Sequence, residues 1–456
     1  MSDMKTGVLT TMRGWRPARR ASACTHARQR GAAALIVVMV LFFVMSLVAA
    51  YASRNIIFEQ RTASNQYGSM VSLEAANAGL DWALGLLNGS RIDPNCTPTS
   101  SPAHDSFRQR YLQVDPDSGE VTVPADVSAG PRWPSCWYNR ATHDWVCSCP
   151  TSGAATPASV PSDPFTPAFR VRFVRLLDAI TVSSPSEPRP NVVYVEVNGC
   201  TSWNDSACMD FAPKVKDRCQ GSVCAQLALS SGLKSPPVAA ITARAAMNFG
   251  GAAVTAANTA PGSSGQTVMA GQAINQTGMT LLGPPGMPAA RTVVASDAGL
   301  ADPLFTPERM FASIFGVWPA TYVEQPGAVK VSCAGGCDSA MVRNAIEANP
   351  GRVLILQGNV ALNGGASIGT ATDPAVLVAT GNFGFSTPTD VYGLVYSRST
   401  TWTTSGTGNI TGAMVAEGDI AGNGAFTVNY ARDVLNRLRV ASGSFVMVPG
   451  SWRDYP

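Results

Sequence analysis

The sequence has 456 residues, including 42 glycines and 32 prolines, and only 14% of its residues are charged. This length allows two or three domains with a sizeable core, and the many glycines and prolines predict frequent turns. Low charge favours a strand-and-turn exterior over the charged surface of a cytosolic protein. Because the basic residues concentrate near the N-terminus, no basic patch typical of a nucleic-acid site remains in the rest of the chain.

A basic leader, residues 1–31, precedes an uncharged run of 21 residues from Ala32 to Ala52. A helix of this length crosses a bilayer core of about 30 Å. Gly31 lies before the run, beside basic side chains, whereas a secretory signal has its small-residue cleavage site after the apolar region. Cleavage after Gly31 would leave the apolar run as the new N-terminus. The positive residues place that end in the cytoplasm and the remainder of the chain outside.

The helical pattern continues beyond this run. No proline occurs between Arg54 and Asn88, and apolar residues recur at steps of three or four, with Asn77 as the interruption. Asn88 and Gly89 then supply a helix stop. We therefore predict one helix over 32–88, in which 32–52 lies in the membrane and the second half packs against a globular domain.

Residues 89–235 are predicted to form a disulfide-rich α/β region. The strand-like runs 169–176 and 192–197 alternate apolar and polar residues, which predicts an antiparallel sheet with one face on the helix and one in solvent. Arginines on the first run are interpreted as solvent-facing strand residues, with an anion-binding stripe as the alternative: Arg170, Arg172 and Arg175.

An even number of cysteines follows the membrane segment: Cys96, Cys136, Cys147, Cys149, Cys200, Cys208, Cys219, Cys224, Cys333 and Cys337. In an exported chain this indicates disulfides. Zinc is the alternative because three close pairs occur, but none has the C-x2-C spacing of a zinc ribbon. The nearest local bridge is Cys333 with Cys337.

Two other features of this region have a structural and a functional interpretation. The tryptophans at 133, 137 and 145 are predicted to pack over disulfides, with an aromatic glycan platform as the alternative. The acidic segment 115–120 has the composition of a turn and lacks the twelve-residue ligand spacing of a calcium loop.

Residues 236–456 are predicted to form a Gly/Ser/Thr-rich β domain with short helices near 306–316 and 338–349. Its short apolar segments have centres near 355, 377, 394 and 413, roughly 17 to 22 residues apart. This spacing favours a solenoid or parallel β-helix, and a β-sandwich with ordinary hairpins is the alternative. The fold class is α+β.

A membrane-tethered, β-helical polysaccharide-active enzyme is the rival hypothesis from another class. Its candidate carboxylates are Glu417 with Asp419, expected on one strand face, and more distantly Asp373 and Asp390. No nucleophile elbow or phosphate loop is present. We therefore predict no enzyme activity, no catalytic residues, no cofactor and no metal.

The stretch from Gly31 to Val38, the segment Phe58–Asn65 and the segment Leu73–Leu80 together resemble the N-terminal region of PilX-type minor pilins of type IV pili. The closing segment from Gly443 to Tyr455 is similar to the end of large PilX-like proteins. The resemblance implies a prepilin trimmed after Gly31 by prepilin peptidase and methylated at Ala32. It also implies movement from the inner membrane to an extracellular pilus, with other minor pilins, the major pilin, a large tip adhesin and the inner-membrane assembly platform as partners.

One departure from the pilin pattern affects the expected position in a filament. Most pilins have Glu at the fifth mature residue, whereas this chain has Ile36 there. Since a buried carboxylate is costly without a partner, its absence favours the filament tip; tolerance of an apolar residue anywhere in the filament is the alternative. A type II secretion tip pseudopilin is the nearest alternative function. In the closing segment, Trp452, Arg453 and Tyr455 are expected to contact a partner or to close the domain.

Overall fold

The computed structural model describes residues 30–128, 132–152, 165–175, 191–204, 209, 222–364 and 366–454. Most of the leader, Cys208, Cys219 and Tyr455 lie outside the described residues. The chain divides into two compact units, Met1–Tyr67 and Gly68–Pro456.

The helices are α1 (Arg30–Leu87), α2 (Phe107–Tyr111), α3 (Ala125–Ser128), α4 (Ala298–Ala301), α5 (Pro307–Phe315), α6 (Pro319–Tyr322), α7 (Ser339–Ala348) and α8 (Arg432–Ala441), with a 3-10 helix at Ala289–Arg291.

The strands are β1 (Arg91–Ile92), β2 (Pro98–Thr99), β3 (Gln113–Val114), β4 (Val121–Thr122), β5 (Ser135–Asn139), β6 (Asp144–Ser148), β7 (Ala168–Arg175), β8 (Val192–Cys200), β9 (Val223–Ser231), β10 (Ile241–Ala243), β11 (Met247–Asn248), β12 (Thr255–Ala257), β13 (Val268–Ala270), β14 (Ile274–Asn275), β15 (Thr280–Leu282), β16 (Val293–Val294), β17 (Ala328–Cys337), β18 (Val353–Asn363), β19 (Ala375–Ala379), β20 (Phe383–Thr387), β21 (Asp390–Ser397), β22 (Thr401–Thr404), β23 (Thr407–Ala416), β24 (Asp419–Gly422), β25 (Ala425–Tyr430) and β26 (Gly443–Met447).

The predicted long helix is confirmed by α1, which runs from Arg30 to Leu87 without interruption. At 1.5 Å per residue it is about 87 Å long. It ends where the sequence predicts, because Asn88 and Gly89 follow it and the Gly89 N–H bonds back to the Leu86 carbonyl at 3.0 Å.

The last part of α1 packs on an antiparallel sheet with the strand order β26-β9-β8-β7-β5-β6. One core joins them, and its buried members include Ala76, Leu80, Ala83 and Leu87 of α1 with Phe169, Val171, Phe173, Val193, Val195 and Val197 of the sheet. Gly199 permits the contact, because a Cβ there would lie 1.8 Å from the Ser72 carbonyl oxygen of α1. The antiparallel sheet on the second half of the helix is thus confirmed.

The expectation of a solvated second sheet face is wrong. Every residue of β8 is buried. On β7, Arg172 pairs with Glu196 of β8, with a 2.7 Å bond from its Nε, and Arg170 donates to the Met209 carbonyl at 2.9 Å. Both guanidinium groups also lie about 6 Å from the Trp133 ring. Because tryptophan and ion-pair contacts cover this face, Arg170 and Arg172 are neither solvent-facing nor arranged as an open anion-binding stripe.

The other tryptophans pack within this region, and the acidic segment forms a turn. Trp137 is buried, and Trp145 lies 4.7 Å from Phe169, centroid to centroid. The Asp115 carboxylate accepts the backbone N–H and the hydroxyl of Ser118 at 2.7 and 2.8 Å. These hydrogen bonds lower the pKa of Asp115 and form an Asx turn, as the composition predicts.

The C-terminal region is a parallel β-helix. The predicted apolar segments lie in β18, β19, β21 and β23, which pair in parallel in that order. Leu377, for example, lies opposite both Leu354 and Val395. The solenoid interpretation is therefore confirmed, and the hairpin sandwich is wrong because neighbouring strands here are parallel rather than antiparallel.

The chain enters this β-helix twice. Strands β10 to β16 form one block, and β17 to β25 form a second block that stacks back onto it. The join lies at the end of the second block, where β23, β24 and β25 pair in parallel with β10, β11 and β12. Helices α5, α6 and α8 cover one side, through buried residues such as Phe311, Tyr322 and Leu435.

The final strand leaves the β-helix. β26 pairs antiparallel with β9, with Phe445 opposite Leu229. It therefore belongs to the sheet formed mainly by residues 135–231, although the sequence analysis assigned its residues to the 236–456 region.

Candidate functional site

The first part of α1 presents a continuous apolar surface. Its large apolar side chains between Leu35 and Tyr51 are exposed, each by at least half. Exposed apolar area of this extent marks a membrane or protein interaction site. By length and composition the helix is able to cross a membrane.

The predicted processing residues lie at the beginning of this helix. Gly31 and Ala32 are in the first turn of α1, where the structure describes their backbone. Ile36 is one turn further on and is 61% exposed. An uncharged side chain therefore occupies the fifth position after the predicted cleavage point, and apolar neighbours precede and follow it.

The closing segment lies on α1 and on the edge of the sheet. The Trp452 indole N–H donates to the Asn77 side-chain oxygen of α1 at 3.1 Å. Arg453 and Cys224 of β9 exchange two backbone hydrogen bonds of 2.8 and 2.9 Å. Trp452 remains 41% exposed, while the backbone of the segment closes the sheet edge. The polar interruption at Asn77 in the apolar stripe of α1 thus has a partner at the other end of the sequence.

Two residues to which the sequence analysis assigned no such contact hold β26 in place. Asn88 donates to the Phe445 carbonyl at 2.8 Å and accepts the Phe445 N–H at 2.7 Å, as a neighbouring strand would. Arg108 of α2 donates to the Gly443 carbonyl at 2.6 Å and lies over the Phe445 ring at 5.0 Å. Burial lowers the pKa of Arg108 to about 10, so its guanidinium is charged at neutral pH. In the sequence, Asn88 indicated only the end of the long helix.

The eight predicted cysteines that the structure describes are all disulfide-bonded. Cys96 is joined to Cys149, Cys136 to Cys147 and Cys333 to Cys337, and Cys200 and Cys224 each belong to a further disulfide. The second bridge links directly opposed residues of β5 and β6. The thiols of these three bridges are consequently not available as zinc ligands.

The candidate carboxylates of the enzyme hypothesis do not come together as expected. Glu417 lies at a corner after β23, where it accepts the Tyr396 hydroxyl at 3.0 Å and Arg398 Nε at 3.3 Å. Asp419, at the beginning of β24, instead accepts the Ala246 backbone N–H at 2.9 Å. The expectation that both point from one strand face is wrong, because the chain turns between them.

The two more distant carboxylates also lie apart from that corner. Asp390 accepts the Asn409 amide at 2.9 Å. Asp373 lines a pocket of about 170 Å³ with Arg343 and Glu347. Burial is the largest cause of the raised pKa of Glu417, and the adjacent Arg398 opposes it. In the part of the chain that the structure describes, no three His, Cys, Asp or Glu side chains form a metal-binding group.

Residues 30–81 match the family model described as PilX N-terminal. This N-terminal segment is that of a type IV pilin-like protein. A search of curated proteins found no match. The solved structure of the competence-associated pilin ComZ from Thermus thermophilus aligns over 85% of this chain and 97% of its own, with 9% identity and a TM-score of 0.18. That similarity is too low to compare the folds.

The pilin-like match includes Gly31, Ala32, Ile36 and Asn77. It thus spans the apolar surface of α1 and the residue that contacts Trp452. The sheet and the β-helix follow the matched segment in the chain.

Proposed function

We propose that this protein is a minor pilin of type IV pili, incorporated at or near the filament tip, where it promotes assembly and supports adhesin display. The observation that carries the proposal is a continuous pilin-like helix in which residues 34–53 expose only uncharged, mostly apolar side chains. Such a surface suits lipid before assembly and neighbouring pilin helices afterwards.

In this proposal the chain begins as a single-pass inner-membrane prepilin with its large C-terminal part in the periplasm. Prepilin peptidase cleaves after Gly31, and Ala32 becomes the methylated N-terminus. The assembly platform then moves the helix into a filament with other minor pilins, the major pilin and a large tip adhesin. The disulfides support exposure of the C-terminal part to an oxidising compartment.

Two observations support a position at the tip rather than along the shaft. Ile36 provides no carboxylate for the N-terminal amine of a preceding subunit. In addition, a compact unit with the length of Gly68–Pro456 has a radius of gyration of about 21 Å, whereas packed helices lie about 8–10 Å apart. In a shaft built only of this chain, units of this size would be crowded around helices packed so closely. A subunit at a rare or terminal position avoids this crowding.

A type II secretion tip pseudopilin remains the nearest alternative, because the same helix would suit a pseudopilus. Deletion of the gene distinguishes the two: loss of surface pili with normal protein secretion supports the pilus function. Loss of secretion with normal piliation supports the pseudopilin instead.

The proposal is tested by N-terminal sequencing of the mature protein and by immunogold microscopy of sheared filaments from the complemented deletion strain. We expect an N-terminus at Ala32 and label at filament ends. Normal piliation of the deletion strain, together with cleavage elsewhere, would refute the proposal.

Replacement of Ile36 tests the tip position separately. Ile36→Glu restores the carboxylate and is expected to spread the label along the shaft. Val40→Glu, one turn further on, is the control for the general cost of a charge in the membrane, about 2.5–3.5 kcal/mol. Label at the ends alone in Ile36→Glu filaments would contradict the argument from the missing carboxylate.

A further inference from the structure

One side of the β-helix carries two columns of outward-facing, largely polar side chains, which we call the polar face. Strand register places the first column side by side across five strands: Thr280, Thr255, Thr427, Asn409 and Asp390. The second column lies two residues further along each strand. Tyr392, Thr411 and Asn429 are its polar members, whereas Ala257 is buried and Leu282 is apolar and exposed. The residues between the columns point inward, since Val428, Ile410 and Val391 are fully buried.

The polar face continues into the pocket that contains Asp373. Ile368 pairs in parallel with Val391, and the Tyr392 N–H donates to the Ile368 carbonyl at 2.9 Å. The neighbours of Ile368 in the chain, Ser367 and Gly369, line the pocket together with Arg343, Glu347 and Asp373. The columns and the pocket are therefore successive parts of one surface.

The dimensions of this surface suit an extended ligand. Adjacent strands lie about 4.8 Å apart, so five strands and the pocket extend over roughly 20–24 Å. The Asn409 amide already donates to Asp390 at 2.9 Å, which holds two side chains of the first column in position.

The chemistry of the polar face selects among ligand classes. Hydroxyl, amide and carboxylate groups offer both hydrogen-bond donors and acceptors, and the Tyr392 ring adds a partly buried aromatic surface. The polar face and its pocket carry three carboxylates, Asp390, Asp373 and Glu347, against two guanidinium groups, that of Arg343 in the pocket lining and that of Arg91, which donates to the Glu347 carbonyl. The excess of negative charge disfavours polyanions such as nucleic acids and acidic glycans. A protein interface would need a more apolar centre than these columns present.

We propose that the polar face is a binding site for a neutral polysaccharide, whose hydroxyl groups pair with the two columns and whose end lies in the pocket. The inference goes beyond the proposed function. Its test uses purified protein without filaments, so its failure and the failure of the pilin proposal are distinguishable.

The test is calorimetric titration of the detergent-solubilised full chain with cellohexaose, chitohexaose, mannohexaose and maltohexaose, and with the matching disaccharides. Dextran sulfate is the anionic probe. The double variant Tyr392→Ala/Asn429→Ala removes two side chains of the polar face. Asn275→Ala is the matched control, because Asn275 is an exposed strand asparagine on a different side of the β-helix, bonded to Asn248.

We expect saturable binding of at least one hexasaccharide, weaker binding of its disaccharide, and an affinity at least about tenfold lower in the double variant, or about 1.4 kcal/mol. Asn275→Ala should bind like the wild type. Circular dichroism checks that the double variant is folded, and Asn409→Ala serves as the second variant if it is not.

Three outcomes would overturn the inference: no saturable hexasaccharide binding at millimolar concentration, equal losses in Asn275→Ala and the polar-face variants, or tighter binding of dextran sulfate than of every neutral hexasaccharide. The last result would assign the surface to an anionic ligand.

Discussion

Replacing Asn88 with aspartate is expected to release β26 from the end of α1. In the structure the Asn88 amide nitrogen donates to the carbonyls of Phe445 and Leu84 at 2.8 and 3.1 Å, while its oxygen accepts the Phe445 N–H at 2.7 Å. Asn88→Asp keeps the shape and the acceptor. It turns the donor into a carboxylate oxygen that faces two carbonyl oxygens.

The magnitude follows from these contacts. Two donated hydrogen bonds contribute about 0.5–1.5 kcal/mol each, and a partly buried carbonyl left without a donor costs about 1–3 kcal/mol more. We therefore expect the opening free energy of β26 to fall by about 2–4 kcal/mol. A loss of 2 kcal/mol corresponds to roughly 30-fold faster exchange of amides that require this opening.

Hydrogen exchange with mass spectrometry on peptides that contain β26 and β9 measures this effect. Asn349→Asp is the control, because Asn349 also ends a helix and donates to the carbonyl four residues earlier, Ala345, while its oxygen accepts from the Arg352 guanidinium rather than from a strand. Acid provides a second check. Below about pH 4 the new carboxyl of the Asn88→Asp variant is protonated and regains a donor, so protection should recover. Unchanged exchange of β26 at neutral pH, or an equal increase in the control, would refute the reasoning.

Two further perturbations have expected outcomes. Removing the Cys96–Cys149 bridge should lower the free energy of unfolding in urea by about 4 kcal/mol, and removing Cys333–Cys337 should lower it by about 2 kcal/mol. The sequence separations are 53 and 4, and the loop-closure entropy that a bridge removes from the unfolded chain grows with loop length. Equal losses for the two bridges would contradict this ranking. Burial raises the folded-state pKa of Glu417 above its ordinary value of 4.5, so its contribution to stability is complete below 4.5 and is lost as pH rises through the folded-state pKa. Glu417→Gln should therefore unfold with a flatter pH dependence above 4.5, and an unchanged slope would show that another group titrates there.

Local patterns in the sequence were sufficient to predict the helices and the repeated strands. The apolar run and the absence of proline predict α1 almost to its last residue. Helix α5 begins after its N-cap Thr306 and ends at its left-handed C-cap Gly316, as the sequence predicts. The spacing of the apolar segments predicts the parallel β-helix because each coil places one buried strand at the same angular position.

Contacts between segments that are distant in the sequence were not predictable in the same way. No periodicity indicates that β23 stacks on β10, more than 150 residues earlier in the chain, because parallel pairing depends on where the connecting helices return the chain. The strand alternation around Arg172 correctly separated the two faces of β7. It could not reveal that Glu196 and Trp133 cover the second face, since a paired, half-buried arginine and a solvated one have the same sequence pattern.

The N-terminal segment that matches the PilX N-terminal model and the closing segment of the chain contact each other in the structure. Asn77, in the matched N-terminal segment, accepts a hydrogen bond from Trp452, and Asn88 pairs with the backbone of Phe445. The closing segment therefore completes the sheet against the same helix that begins with the apolar surface. Since a β-helix of almost 200 residues lies between β9 and β26, both of its ends are connected to the antiparallel sheet. The chain leaves the sheet after β9 and returns to it at β26, so α1 and the sheet hold the β-helix at both of its ends.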